Sequence, residues 1–184
     1  MDPFAILGIE RRFDVDVLAL EKRHRELSRA LHPDRYADAG ASERKATLSK
    51  AVEVNEAWRV LREPITRAEA LFTLSGITVG ERNEPKPSGE LLMAAMELRE
   101  TLEEAKAKRD LAAIERLAGE VDERRRAAEE KLRAGFANGG GKRVKIEALV
   151  PVLGELRFHK RFLDEVSAIE DAIAEADVAS GVDV

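Results

Sequence analysis

The chain has 184 residues and a net charge of −5, and 44% of its residues are hydrophobic, 36% charged and only 4% aromatic. This composition predicts an all-α fold, because β-rich domains carry more aromatic and β-branched side chains. The acidic balance argues against a nucleic-acid partner, and the absence of cysteine excludes disulfides, thiolate metal sites and a catalytic thiol.

The amino terminus opens on a short apolar segment, residues 4–9, which predicts one or two helical turns that end at Gly8. The residues before it lack the basic start and the apolar stretch of a signal peptide. No apolar run reaches the roughly 18 residues that a membrane span needs. We therefore expect a cytoplasmic protein with no membrane partner.

Two long helices are predicted next. The first begins near Asp14 or Asp16, whose carboxylates can cap its amino end, and stops before Pro33, because the residue preceding a proline is disfavoured in the α conformation. The second follows a short polar loop and ends at Pro64. Its apolar side chains recur with helical spacing and are predicted to face inward: Leu48, Ala51, Val54, Ala57, Trp58 and Leu61. A loop this short makes the two helices antiparallel.

A shorter helix over residues 65–75 is followed by a polar segment rich in proline and glycine, residues 77–89, which we interpret as a linker. Residues 90–184 then show three helical runs, which predict an antiparallel three-helix bundle. The last two runs are separated by Gly139-Gly140-Gly141, read as a flexible loop. Pro151 should kink or restart the last helix.

The turn between the two long helices could carry chemistry. His32-Pro33-Asp34 projects from a loop that proline stiffens, and the preceding helix carries a basic stripe at i, i+3 and i+7. The cations of this region are Lys22, Arg25, Arg29 and Arg35. A stiff loop beside a basic stripe can dock an acidic protein surface. The plainer alternatives are ordinary turn chemistry and a solvated helix face.

A catalytic or metal site is not predicted. His24 and His32 stand eight residues apart with no third ligand nearby, and no nucleophile–base pair or phosphate-binding glycine loop is present. We therefore expect neither an enzyme nor a protein that binds a cofactor or a metal ion.

Taken together, residues 1–76 resemble a J-domain. The resemblance is carried by the short opening helix, the basic helix, His32-Pro33-Asp34, the second long helix ending in residues 55–61 (NEAWRVL), and the short fourth helix. J-domains bind a DnaK-type chaperone and stimulate its ATPase through the basic helix and the HPD loop. The chaperone-binding residues that the resemblance implies are His32, Pro33, Asp34, Arg35, Lys22, Arg25 and Arg29. Arg35 stands where many J-domains have lysine, so the charge is kept.

Further motifs are similar to the HscB family, the J-proteins of iron–sulfur cluster assembly. They are Met1-Asp2-x-Phe4, Arg67-Ala68-Glu69, Leu92-Met93, Glu97-Leu98-Arg99-Glu100 and Leu156-Arg157-Phe158, and the match is weakest over residues 108–145. Some members carry an amino-terminal cysteine-rich metal module, which this sequence lacks. The resemblance implies a specialised chaperone partner, HscA, and a scaffold client, IscU, which the carboxy-terminal bundle would deliver.

The helix over residues 90–108 has more apolar side chains than a bundle needs. One narrow stripe, formed by Leu91, Ala95, Leu98 and Leu102, suffices for packing, which leaves Leu92, Met93 and Met96 surplus. The surplus predicts either a wide core stripe or a partner site. Charged side chains lie around the surplus residues, with Glu97, Arg99 and Glu100 as the predicted rim. The resemblance favours the partner site and adds Phe158.

The last helix carries two opposed apolar stripes, and the pattern does not decide which is core. The first consists of Leu149, Leu153, Leu156 and Leu163, and the second of Phe158, Phe162, Ile169 and Ile173. The resemblance selects Phe158 as exposed.

The expected protein is thus all-α, with a J-domain over 1–76, a linker over 77–89 and a three-helix bundle over 90–184. It would act as a co-chaperone that stimulates a partner's ATPase and presents a folded scaffold. One alternative is a general DnaJ-like co-chaperone for unfolded clients, against which stands the lack of a Gly/Phe-rich segment and a zinc-binding cysteine repeat. Another is a structural helical adaptor with an accidental HPD turn. A hydrolase is disfavoured because no catalytic constellation is present.

Overall fold

The computed structural model describes residues 1–36, 38–80, 89–139 and 143–179, and within these ranges all regular structure is helical. The α-helices are α1 Pro3–Leu7, α2 Val17–Ala30, α3 Ala41–Arg62, α4 Pro64–Leu74, α5 Gly89–Ala107, α6 Leu111–Gly139, α7 Arg143–Glu147 and α8 Val150–Ala179. The all-α prediction is confirmed. Most of the predicted linker, residues 81–88, and Gly140-Gly141 of the predicted glycine loop lie outside the described residues.

Local chemistry explains where the first helices begin and end. The Asp2 carboxylate accepts the backbone N–H groups of Phe4 and Ala5, and Gly8 ends α1 in the left-handed conformation at φ 67°. Asp16, rather than Asp14, caps α2 by accepting the N–H groups of its first turn. The helix ends at Ala30, so the chain leaves the α conformation before Pro33, as predicted.

The described residues form two compact units. The first comprises Met1–Asn83 and Leu132–Ala148, and the second comprises Glu84–Lys131 and Leu149–Val184. The carboxyl end of α6 and the short α7 therefore belong to the first unit. The helical pattern of the sequence did not indicate this division of α6 between the two units. The pattern shows that a segment is amphipathic, but it does not show which neighbour the segment packs against.

The first unit is built on the antiparallel pair α2 and α3, with α1 and α4 packed beside them. Its largest fully buried side chains include Phe4, Leu7, Leu61 and Phe72. Arg67 of α4 is also buried, and its guanidinium donates to the carbonyls of Leu61, Arg62 and Phe13 at 2.7–3.0 Å. Arg67 thus satisfies backbone acceptors at the end of α3 and in the loop that leads to α2.

One predicted core position on α3 is wrong. Leu48 is exposed, whereas Thr47 is buried in its place, together with Val54, Ala57 and Leu61. Thr47 lies seven residues before Val54, which is close to two full helical turns, so it falls on the buried stripe. Leu48, the next residue, lies about 100° further round the helix axis than Thr47, so it falls outside the buried stripe.

The second unit contains the expected three-helix core, with three buried residues from each long helix. They are Leu98, Leu102 and Ala105 of α5, Ile114, Leu117 and Val121 of α6, and Phe162, Val166 and Ile169 of α8. Both predicted stripes of the last helix contribute buried residues. Pro151 restarts the helix, because it lies in the first turn of α8, where no intrahelical N–H donor is required.

Candidate functional site

The HPD loop is exposed at the end of the α2–α3 pair. Pro33–Tyr36 form one turn of 3-10 helix, and the N–H of Arg35 donates to the His32 carbonyl at 3.0 Å. The N–H of Asp34 donates to His32 Nδ1 at 3.3 Å, and an Asp34 carboxylate oxygen lies 3.4 Å from the same nitrogen. Both contacts use Nδ1 of the exposed imidazole.

The predicted basic stripe is exposed along α2 and leads to this loop. Lys22, Arg25 and Arg29 are all exposed, as is Arg35 in the turn that follows. Arg25 forms an ion pair with Glu21 one helical turn earlier. The structure therefore brings the seven residues of the predicted chaperone-binding set onto one helix and the loop after it.

His24, which was considered as a metal ligand, has a structural role. Its Nε2 lies 2.9 Å from Asn55 Oδ1 on α3, and its ring stacks on Trp58 with centroids 5.2 Å apart. These contacts hold the basic helix against its neighbour. No group of three or more His, Cys, Asp or Glu residues suited to a metal ion occurs in the described part of the chain.

The surplus apolar residues of α5 are exposed, which contradicts the alternative of a wide core stripe. Leu92 is 52% exposed, Met93 62% and Met96 63%, while Leu98 and Leu102 are buried in the bundle. The charged rim residues are exposed as well: Glu97, Arg99 and Glu100. Six of the seven predicted client-binding residues thus form a continuous exposed surface on α5, which we call the α5 patch.

Phe158 differs from expectation, because it is half-buried rather than exposed. Its ring packs against the core of the second unit, with its centroid 6.3 Å from that of Phe162. Phe158 lies on α8 one helical turn before a buried aromatic residue, so it borders the core stripe. It can offer only part of its ring to a partner.

A buried histidine was not singled out in the sequence. His159 is 6% exposed, and its Nδ1 has no hydrogen-bond partner among the described residues. Burial lowers the pKa of His159, with Glu155 opposing this shift and Arg124 and Lys131 reinforcing it. The available signal was its position between Phe158 and Phe162 on a strongly apolar helix.

Helices long and apolar enough to cross a bilayer are absent from the described ranges.

Comparisons with known proteins match most of the chain. A family model described as the HSCB C-terminal oligomerisation domain matches residues 88–167. A co-chaperone protein HscB homolog from Burkholderia multivorans is 32% identical over 165 residues, covering 90% of this chain and 91% of that protein. A protein of the same description from Neisseria meningitidis is 38% identical over 133 residues, covering 72% and 78% respectively.

Solved structures share the fold over most of the chain. The chaperone HscB from Vibrio cholerae superposes with a TM-score of 0.80 at 29% identity, covering 94% of this chain and 99% of that chain. The human co-chaperone protein HscB superposes with a TM-score of 0.81 over 92% of this chain and 82% of that chain. Its 24% identity supports a likeness of fold alone.

Proposed function

Because this chain belongs to the HscB family of co-chaperones, we propose that it acts in iron–sulfur cluster assembly, by delivering an IscU-type scaffold to a DnaK-type ATPase chaperone, HscA. The observation that carries the proposal is the pairing of two exposed surfaces in one chain. One is the HPD loop at the end of a basic helix, and the other is the α5 patch.

The first surface suits an acidic partner. The HPD loop is held in one turn of 3-10 helix by contacts between His32, Asp34 and Arg35, so little conformational entropy is lost when it binds. The cations of α2 would steer the encounter with a negatively charged surface of the chaperone. The protein then accelerates ATP hydrolysis at the active site of its partner.

The second surface suits a folded client. A patch of Leu and Met side chains, with charges around it, has the apolar centre and polar rim of a protein interface. The unbranched Met93 and Met96 can adapt to the shape of the partner. Phe158 would add the exposed part of its ring if the client reaches α8.

The proposal is tested by two measurements on the unmodified protein. Calorimetric titration with an IscU-type scaffold should give a saturable binding isotherm, and the protein should stimulate single-turnover ATP hydrolysis by the chaperone. Stimulation without scaffold binding, together with binding to a permanently unfolded client, would instead support the general DnaJ-like alternative. Scaffold binding without any stimulation of either HscA or DnaK would support the structural adaptor.

A further inference from the structure

The first unit contains a cavity that is separate from both proposed binding surfaces. Its volume is about 630 Å³, which is within the range of small-molecule sites. It lies between the α1–α2 loop, α4, the carboxyl end of α6 and α7. The described residues that line it all belong to the first unit, and none of them is part of the HPD loop, the basic stripe of α2 or the α5 patch.

The wall of the cavity is apolar and is held in place by packing. Phe13, Leu71 and Ile146 are buried, while Leu74 and Phe136 are half-buried. Phe136 stacks on Phe13 with ring centroids 5.8 Å apart. An apolar group that enters the cavity therefore displaces water without having to order the side chains around it.

Positive charge predominates among the polar residues of the cavity. Of the described residues that line it, three are cations, Arg11, Arg12 and Arg133, and one is an anion, Asp14. Nε of Arg133 donates to Oδ1 of Asp14 at 3.1 Å. Three positive charges against one negative charge leave an excess of cations, so the cavity favours a ligand that carries negative charge.

Arg12 is the cation best placed to bind such a ligand. Arg11 is already paired with the Asp2 carboxylate, which lies 2.7 Å from its Nη2. Nη1 of Arg12, in contrast, lies 3.9 Å from a carboxylate oxygen of Glu10, which is beyond hydrogen-bond distance. The planar guanidinium of Arg12 can therefore donate two parallel hydrogen bonds to a carboxylate in the cavity.

We propose that this cavity binds a small amphipathic carboxylate. Its apolar body lies against Leu74 and Phe136, and its carboxylate accepts hydrogen bonds from Arg12. A neutral molecule of the same shape gains nothing from the arginine, and a cation is repelled. The bound molecule joins the carboxyl end of α6 to α4 and the α1–α2 loop, so it stabilises the first unit. This inference is independent of the proposed co-chaperone function, because it uses other residues.

Titration calorimetry of the full chain with 1-naphthoate and, separately, with octanoate tests the proposal. At least one of them should bind saturably with a Kd of about 1 mM or tighter, and the tighter of the two shows whether the site prefers an aromatic or an aliphatic body. The matching amide keeps the body and lacks the charge, so it should bind about tenfold more weakly or worse. The carboxylate should also raise the melting temperature.

Three variants separate the charge from the shape of the cavity. Arg12→Gln should weaken binding by about tenfold or more and leave the melting temperature of the free protein unchanged, because Arg12 is exposed. Arg62→Gln is the matched control, since Arg62 is also exposed and 3.9 Å from a neighbouring glutamate, Glu63, but does not line the cavity. Ala137→Phe, at an exposed position that lines the cavity, should fill the space and abolish binding without lowering the melting temperature.

Amide shifts in ¹H–¹⁵N correlation spectra locate the ligand, and the largest should surround Phe13, Leu74 and Phe136. The site would be overturned if neither carboxylate binds saturably, if the amide binds as tightly as the acid, or if Arg12→Gln binds as the parent does. Shifts centred on the α5 patch would also overturn it, since the ligand would then occupy an exposed apolar surface. Stimulation of the chaperone ATPase is measured separately, so each of these results leaves the proposed function standing.

Discussion

Nε2 of His24 lies 2.9 Å from Oδ1 of Asn55, so one side-chain contact joins the basic helix to α3 midway along the pair. Stacking of the same imidazole on Trp58 adds to it. This contact fixes the register in which α2 presents its cations and the HPD loop. The geometry of the proposed chaperone-binding surface therefore depends on a pair that need not touch the chaperone.

Removing the Asn55 amide should weaken the first unit. Asn55→Ala eliminates a hydrogen bond that is partly exposed, so the free energy of unfolding should fall by about 0.5–1.5 kcal/mol. Urea unfolding followed by circular dichroism measures this. Asn138→Ala, at an exposed position on α6, is the control and should change nothing. Equal stability of the two variants would show that the contact between His24 and Asn55 does not stabilise the first unit.

Charge reversal on the basic helix should weaken docking. Arg25→Glu replaces an exposed cation of α2 and should raise the concentration needed for half-maximal ATPase stimulation, with a smaller effect at high salt. Lys160→Glu is a matched control, because Lys160 also forms an exposed ion pair one helical turn away, with Asp164. Identical curves for both variants at every salt concentration would contradict electrostatic steering.

Truncation of the α5 patch should cost client binding and not stability. Leu92→Ala and Met96→Ala should each weaken scaffold binding by on the order of 1–2 kcal/mol, because exposed side chains contribute to an interface and not to the core. Leu98→Ala, on the buried side of the same helix, should destabilise the fold by about 2–5 kcal/mol.

Titration calorimetry and thermal melts separate these outcomes. If Leu92→Ala and Met96→Ala melt at lower temperature but bind the scaffold as the parent does, the client surface lies elsewhere. Phe158→Ala should reduce both stability and binding, since its ring is half-buried against the core.

His159 should make stability depend on pH. Burial lowers the pKa of this imidazole in the folded chain below its unfolded value of about 6.5. As pH falls through that unfolded value, the unfolded chain binds the proton more readily than the folded chain does. The free energy of unfolding should therefore be highest above pH 6.5 and decline below it.

Urea unfolding at pH 7.5 and pH 5.5 tests this prediction. His159→Leu should remove most of the decline, because leucine fits an apolar position and carries no proton. A decline of the same size in His159→Leu would show that other groups cause it.

The sequence predicts the framework of the fold well, because helix ends depend on local chemistry. Gly8, Asp16 and Pro33 act through their own backbone neighbours, and each bounds a helix as expected. The exposed surplus on α5 also follows from helical spacing, since the buried stripe is narrow. Both kinds of feature can be predicted without knowing which helix packs against which.

Other features depend on tertiary packing and cannot be predicted from the spacing of apolar residues. Leu48 was assigned to the core because its spacing from Ala51 and Val54 is helical. The packing of α3 instead buries Thr47, one residue earlier. Phe136 of α6 stacks on Phe13 and meets Phe72 edge-on within the first unit, although 64 residues or more separate it from each in the chain. The spacing of apolar residues along a helix does not indicate which distant residues will pack against it.

Single-turnover ATP hydrolysis by the chaperone, measured with His32→Gln, tests the central claim most directly. His32 is exposed in the HPD loop, so the substitution should change the free energy of unfolding by less than about 0.5 kcal/mol. The account predicts that stimulation of the ATPase is lost, while the melting temperature and scaffold binding equal those of the parent. A folded His32→Gln protein that stimulates ATP hydrolysis as well as the parent would contradict the assignment of this chain as a J-domain co-chaperone.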